Sequence, residues 1–249
     1  MKLRYITCSD PRENLNPQDV VDLLKTYPIA ELGVQVHKPN MEFGNKRFVW
    51  FDKLLEIAKK SETPINIAIH INYEWCGDMC SGKIPDEITY FMKQKHSTTG
   101  KNLISRIQLN HGDFTFKFDA QKLSRLISDF RDYEFILPFN HVIRGDVSDL
   151  RKTDAQFNVL FDESYGAGVP PVVWKKPAFW DKQFGYAGGI SPYNVTTVLG
   201  KISNILPQNY QTWIDAEGQL RDKTSGVMDL NLAREYLRYA SNWYNDYEK

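Results

Sequence analysis

Short runs of β-branched and aromatic residues alternate with longer stretches of helical period along the whole chain, and this alternation limits the fold more than any other feature. The extended runs fall at Leu3 to Cys8, Leu32 to His37, Ile65 to Asn72, Arg106 to Asn110, Glu134 to Asn140, Phe157 to Asp162, Gln183 to Ala187 and Gln211 to Asp215. Asn16-Pro17 reads as a cap and first-turn proline ahead of the stripe Val20, Val21, Leu24. Further helices are predicted over Val49 to Lys60, Pro85 to Lys95, Ala120 to Phe130, a short Val147 to Ala155, Ser191-Pro192 to about Leu206, and Leu230 to Tyr244. Strands separated by helices pair in parallel through right-handed crossovers. Eight such units predict an α/β fold, a closed (β/α)8 TIM barrel, rather than an open sheet of five or six strands. The first strand also lacks the G-x-G-x-x-G of a dinucleotide-binding unit. The 249 residues match the length of about 250 usual for that barrel. No linker interrupts 1–249, so a single barrel domain is expected. Tyr236, Tyr239, Trp243 and Tyr244 in the last helix have the spacing of residues packed against the barrel.

Lys and Arg number 31 against 31 Asp and Glu, a formal net charge of zero. That balance argues against nucleic acid or an anionic membrane as partner, because both demand clustered Lys and Arg. A small anionic ligand, held by a few placed donors, stays within reach. No run approaches the roughly 18 apolar residues of a membrane-spanning helix. Asp10-Pro11 come too early for the apolar core of a signal peptide. Three Cys give no disulfide framework, so a reducing, cytoplasmic setting is expected.

In such a barrel the chemistry sits where strands end. The strand ends present Cys8, His37, His70 with Asn72, Asn110-His111, Asn140-His141, Asp162, Gly188-Gly189 and Asp215. His96 falls at a helix end, where solvation is expected. Four strand-end histidines with Asp162 would suit a metal-dependent hydrolase, since imidazole binds zinc. Against that reading, the first strand has no His-x-His, and alternate side chains of a strand point to opposite faces. Cys76 and Cys80 supply two ligands where zinc needs four, and read as two thiols in a polar loop. No metal or cofactor is expected.

The strand-end motifs resemble those of the phosphoribosylanthranilate isomerase family, (β/α)8 enzymes of tryptophan biosynthesis. Ile6-Thr7-Cys8-Ser9 stands where that family has Lys-Ile-Cys-Gly, and Ile107-Gln108-Leu109-Asn110-His111-Gly112 where it has Val-Gln-Leu-His-Gly. Leu160-Phe161-Asp162-Glu163-Ser164 followed by Gly166-Ala167-Gly168 is similar to its Leu-Leu-Asp-Ser and glycine-rich loop. Tyr186-Ala187-Gly188-Gly189-Ile190-Ser191-Pro192-Tyr193-Asn194-Val195 follows Leu-Ala-Gly-Gly-Leu-x-Pro-x-Asn-Val almost residue for residue. The resemblance implies a sugar-phosphate isomerase catalysing an Amadori rearrangement, aldosylamine to ketosylamine. It places the general acid on Asp162 and the general base on Cys8. It assigns the anthranilate carboxylate to Arg47 in Asn45-Lys46-Arg47-Phe48, and the remaining substrate contacts to Gln108, Gly166, Gly168, Gly188, Gly189, Ser191, Asp215 and Arg221. Glycine backbone N–H groups and a Ser191-capped helix would hold a phosphate. The partner implied is a small phosphorylated substrate, bound to a monomer or homodimer. Asp162 would need its pKa raised, with Glu163 the nearby carboxylate, and Cys8 would need thiolate character.

Three positions depart from the family pattern. The last strand continues Asp215-Ala216-Glu217-Gly218-Gln219-Leu220-Arg221, which sets Glu217 near the expected phosphate unless Arg221 or Lys223 compensates. Ser9 replaces a glycine, and Ala167 replaces a glycine in the loop after Asp162. These changes keep open a second reading, a divergent barrel that binds a small anion or sugar phosphate without the activity.

Overall fold

Strand β1 (Lys2–Ser9) pairs in parallel with β2 (Ala30–Val36) on one side and β8 (Gln211–Ala216) on the other, so the sheet has no free edge. The computed structural model describes residues 1–111, 118–164 and 167–248. Between these strands run β3 (Asn66–Ile71), β4 (Ile104–Leu109), β5 (Glu134–Phe139), β6 (Phe157–Phe161) and β7 (Phe184–Ala187), each parallel to the next. The closed eight-stranded barrel expected from the alternation is therefore present. Among the described residues no helix is long and apolar enough to cross a membrane.

Helix α1 (Pro17–Lys25) starts as read, with Asn16 accepting the Gln18 N–H at 3.1 Å. Next come α2 (Lys38–Met41), α3 (Lys46–Lys59), α4 (Tyr73–Cys80), α5 (Asp86–Met92), α6 (Ala120–Asp129), α7 (Arg144–Arg151), α8 (Val195–Ser203) and α9 (Leu230–Tyr247). Helix α4 replaces the expected polar loop. Trp75, Cys76, Met79 and Cys80 recur at helical spacing and are all buried, so both thiols lie in the core. His96 is buried rather than solvated, with Nε2 2.8 Å from the Ser61 carbonyl and Nδ1 accepting the Thr99 N–H. Between β6 and β7 the described residues contain no helix, so the sixth unit is a strand and an irregular connection. Tyr236 and Tyr244 of α9 pack into the core, Tyr239 is partly exposed, and Trp243 stacks on Tyr247.

The direction of side chains in β1 turns on one irregularity. Its register with β8 shifts between Leu3 and Tyr5. An extra residue in a strand reverses the alternation beyond it. Leu3, Ile6 and Cys8 consequently belong to the large apolar layer between barrel and helices. Tyr5 instead joins Ile136, Leu160, Ala187 and Trp213 in a separate cluster inside the barrel. Arg106 fills the lower interior. Its guanidinium lies 4.6 Å from the Tyr5 ring and 4.3 Å from the Trp213 ring, and it donates to Glu31 at 2.6 Å and Glu134 at 3.2 Å. Glu31 also accepts from Thr7 at 2.8 Å, yet burial holds its pKa above the ordinary value. Removing Arg106 would strand the fully buried Glu31. Arg106→Ala is therefore expected to lower stability by about 3–5 kcal/mol in a urea titration, and an unchanged midpoint would contradict this account of the interior.

Candidate active site

Above that charged layer the strand ends enclose a cavity of about 790 Å³. Its floor includes inward positions of the adjacent strands β1, β2 and β3. Gly33 of β2 carries no side chain because the Ser9 hydroxyl and the His70 ring occupy the space a Cβ would take. Burial, with Arg106 beneath, pushes the His70 pKa down to about 3, so this imidazole is neutral. His37 also titrates below its ordinary value, through burial and then Arg47.

Carboxamides line one wall. Asn72 donates to Gln35 Oε1 at 2.5 Å and to the His70 carbonyl at 2.9 Å. Asn110 donates to Asn72 Oδ1 at 3.0 Å and accepts from Gln108 at 2.8 Å. Gln35 continues the chain by donating to Glu217 at 2.8 Å. Asn40 and Asn140 line the same cavity. The resemblance singled out Gln108 alone among these. The others stood in plain view as polar residues at strand ends, but without a known spacing to mark them.

Two carboxyl groups face the opposite side. Asp215 ends β8 and is buried, with Ser9 Oγ donating to it at 2.6 Å. Burial pushes its pKa from 3.8 up to about 8. The Ser9 bond and Arg106 oppose that shift, and Glu217 and Glu31 add to it. Asp162 follows β6, lines the cavity, and accepts from Ser164 N–H at 2.9 Å and Ser164 Oγ at 2.7 Å. Glu163 is ion-paired with Lys175.

Cys8 does not share this cavity. It points away from the barrel axis into the helix-facing layer, near Tyr236 of α9. Burial raises its thiol well above the ordinary value, and Asp215 adds to the effect, so the environment disfavours a thiolate. The base assignment on Cys8 is therefore corrected: the shift in β1 turns Thr7 and Ser9 inward and Cys8 out.

The expected anion contacts are rearranged. Arg47 sits in the first turn of α3, capped by Asn45, and borders the cavity. Its guanidinium donates to Asp10 at 2.8 Å and to the Gln35 carbonyl at 3.1 and 3.2 Å. Arg221 binds Asp10 at 2.7 Å and also pairs with Glu217, supplying the compensation that Glu217 needed. Arg12 is a third partner of Asp10 at 3.1 Å. Asp10 holds this cluster with φ +65°, a conformation uncommon outside glycine. Gly168, Gly188 and Gly189 border the cavity. Gly188 and Gly189 have φ +108° and +61°, and Val169 and Pro170 pack where their side chains would stand. Ser191 is corrected as a cap. The N-cap position of α8 is Asn194, whose side chain accepts the Ser191 N–H at 2.8 Å, and Ser191 is not part of the cavity lining. Gly112 and Gly166 lie outside the described residues.

The four strand-end histidines do not converge. His37, His70 and His111 border the cavity, His111 bonded to Asp146 at 2.6 Å, while His141 is exposed. Among the described residues no three His, Cys, Asp or Glu groups gather closely enough to hold a metal ion.

No family model and no curated protein sequence matches the chain. Among solved structures it is similar to monomers of the dimeric phosphoribosylanthranilate isomerase from Thermotoga maritima. That match has a TM-score of 0.54 and 13% identity over 96% of this chain and 98% of that one. A weaker likeness, TM-score 0.46 and 10% identity over 99% and 90%, is to the YdjI aldolase of Escherichia coli K12. At these identities the likeness concerns the barrel fold alone.

Two outcomes follow from this geometry. Cys8→Ser places a hydroxyl in an apolar layer, and is expected to cost about 1–3 kcal/mol of stability while leaving turnover unchanged. A large loss of turnover in the folded variant would return Cys8 to the site. Between pH 4 and pH 8 the folded protein keeps the Asp215 proton that the unfolded chain gives up. That stabilisation is complete at low pH and disappears as pH rises through about 8. Relative to wild type, Asp215→Asn should therefore flatten the decline of unfolding free energy by up to about 1.4 kcal/mol per pH unit. Parallel pH profiles for the two proteins would contradict the raised pKa.

Proposed function

We propose that this barrel is an acid–base isomerase of the aldose–ketose type, with Asp215 as general acid and Asp162 as general base. One observation carries the reading: two carboxyl groups border one cavity from the ends of β6 and β8, on either side of β7, and one of them keeps its proton at neutral pH. Phe161 pairs with Tyr186 and Ala187 pairs with Asp215. Asp162, Ala187 and Asp215 thus follow one another at the same level across three strands. Two inter-strand spacings separate the outer pair by about 10 Å between Cα atoms, and the small Ala187 leaves the space between them open.

A sugar lying there presents its ring oxygen or carbonyl oxygen to one carboxyl and the adjacent carbon to the other. Asp215 donates its proton to the oxygen as the ring opens. Asp162 removes the proton from the neighbouring carbon, leaving an enol or enamine. Asp162 returns its proton to the first carbon while the enol hydroxyl of the second carbon gives its proton to the Asp215 carboxylate, which leaves the ketone and restores both carboxyl groups to their starting states. The two environments separate the roles, which is the usual way that paired carboxyls divide acid and base work. The resemblance implies a phosphorylated aldosylamine of tryptophan biosynthesis as substrate, in which case Asp162 takes the base role that the resemblance gave to Cys8, and Asp215 the acid role that it gave to Asp162. Arg47, with Gln35 and Asp10 fixing it, is then the group nearest to a substrate carboxylate.

The test is exchange of substrate carbon-bound hydrogen in heavy water, followed by NMR. The substrates are freshly made phosphoribosylanthranilate and a panel of free aldopentoses and aldohexoses. Exchange with conversion is expected for at least one of them. Asp215→Asn and Asp162→Asn should each lower the rate by about 10²–10⁴-fold, and kcat/KM should fall as pH rises through about 8, where Asp215 loses its proton. Absence of exchange with every substrate, or an Asp215→Asn variant at full rate, would overturn the proposal.

A further inference from the structure

The cavity's charge and its carboxamides say what kind of substrate the isomerase reading should take. Among the described residues that border it, the ionisable acids are Asp10, Glu13, Asp162, Asp215 and Glu217, against the guanidinium groups of Arg12 and Arg47. Both arginines already donate to Asp10, at 3.1 and 2.8 Å. Arg221, which lies behind Glu217, is likewise bonded to Asp10 and Glu217. A phosphate dianion entering here meets more carboxyl groups than cations, and each arginine that borders the cavity already has its charge offset by Asp10.

The carboxamide wall fits a different chemistry. Each amide carries donor and acceptor on one flat group, which matches a hydroxyl that both donates and accepts. The bonds running Glu217–Gln35–Asn72–Asn110–Gln108 fix the orientation of every amide in the row. Gln108 keeps its Oε1 and Asn40 its Nδ2 without a protein partner among the described residues, and both residues border the cavity. An oriented row of neutral donors and acceptors recognises adjacent hydroxyls without the desolvation cost of a fixed charge.

We infer that the natural ligand is an uncharged, unphosphorylated monosaccharide, held by its hydroxyl groups along the Gln35–Asn72–Asn110–Gln108 row. The inference rests on the acid–base reading for the place of the reacting carbons, between Asp162 and Asp215, across the cavity from the row.

The experiment is a binding panel on the full chain, wild type and Asp162→Asn, by calorimetry and ligand-observed NMR. The probes are D-ribose, D-xylose, D-glucose and D-mannose, each set against ribose 5-phosphate or glucose 6-phosphate, with inorganic phosphate as control. At least one free sugar is expected to bind about tenfold or more tightly than its phosphate. Gln108→Ala should weaken that sugar by about five- to tenfold in a variant that circular dichroism shows to be folded. Tighter binding of a sugar phosphate, or no binding of any free sugar at millimolar concentration, overturns the inference. A free sugar that binds but shows no hydrogen exchange leaves this assignment standing and removes the isomerase reading instead. Exchange seen only with a phosphorylated substrate does the reverse.

Discussion

Everything placed in the cavity depends on which way alternate side chains leave β1. A closed parallel barrel permits one register per strand, because each is bonded on both sides. The shift between Leu3 and Tyr5 in the pairing with β8 therefore decides the inner face of the first strand. It sends Tyr5 inward to stack on Arg106 and Thr7 inward to bond Glu31. It also brings Ser9 within 2.6 Å of Asp215. The same shift commits Cys8 to the apolar layer beneath α9. The proposed proton-transfer groups consequently come from β6 and β8, and β1 contributes a hydroxyl that tethers one of them.

Burial then sets the electrical character of the site. Asp215 is pushed up to about 8, and His70 down to about 3, by the same loss of water acting on opposite charge types. Each ends in its neutral form at neutral pH. The three arginines near the mouth converge on Asp10. A site with neutral imidazole, neutral carboxyl, paired arginines and a row of amides is suited to the proposed recognition by hydrogen-bond pattern.

Much of the fold was legible because its cause is local. Eight β-branched runs, the Asn16-Pro17 start and the barrel-sized length all survive in the structure, with boundaries moved by a few residues. The strand ends named Asp162, Asp215, Gly188 and Gly189 without further help, whereas Gln108 and Gly168 came from the resemblance. What escaped has non-local causes. Counting alternate residues from the buried Leu3 puts Cys8 inside, and only the pairing of β1 with a strand some 200 residues away reverses that count. Ser191-Pro192 has the composition of a helix start, yet the side chain of Asn194 closes the turn on the Ser191 N–H and the helix begins later. Asp10 was passed over because its role exists only once Arg12, Arg47 and Arg221 meet around it.

The central claim is that Asp215 holds a proton inside the cavity at neutral pH. The most direct measurement is the carboxyl carbon-13 shift of labelled aspartate followed through a pH titration, with the Asp215 resonance identified by its loss in Asp215→Asn. The account predicts a midpoint near 8 for that resonance. A midpoint close to the ordinary aspartate value of 3.8 would contradict it, and would leave the cavity without its acid.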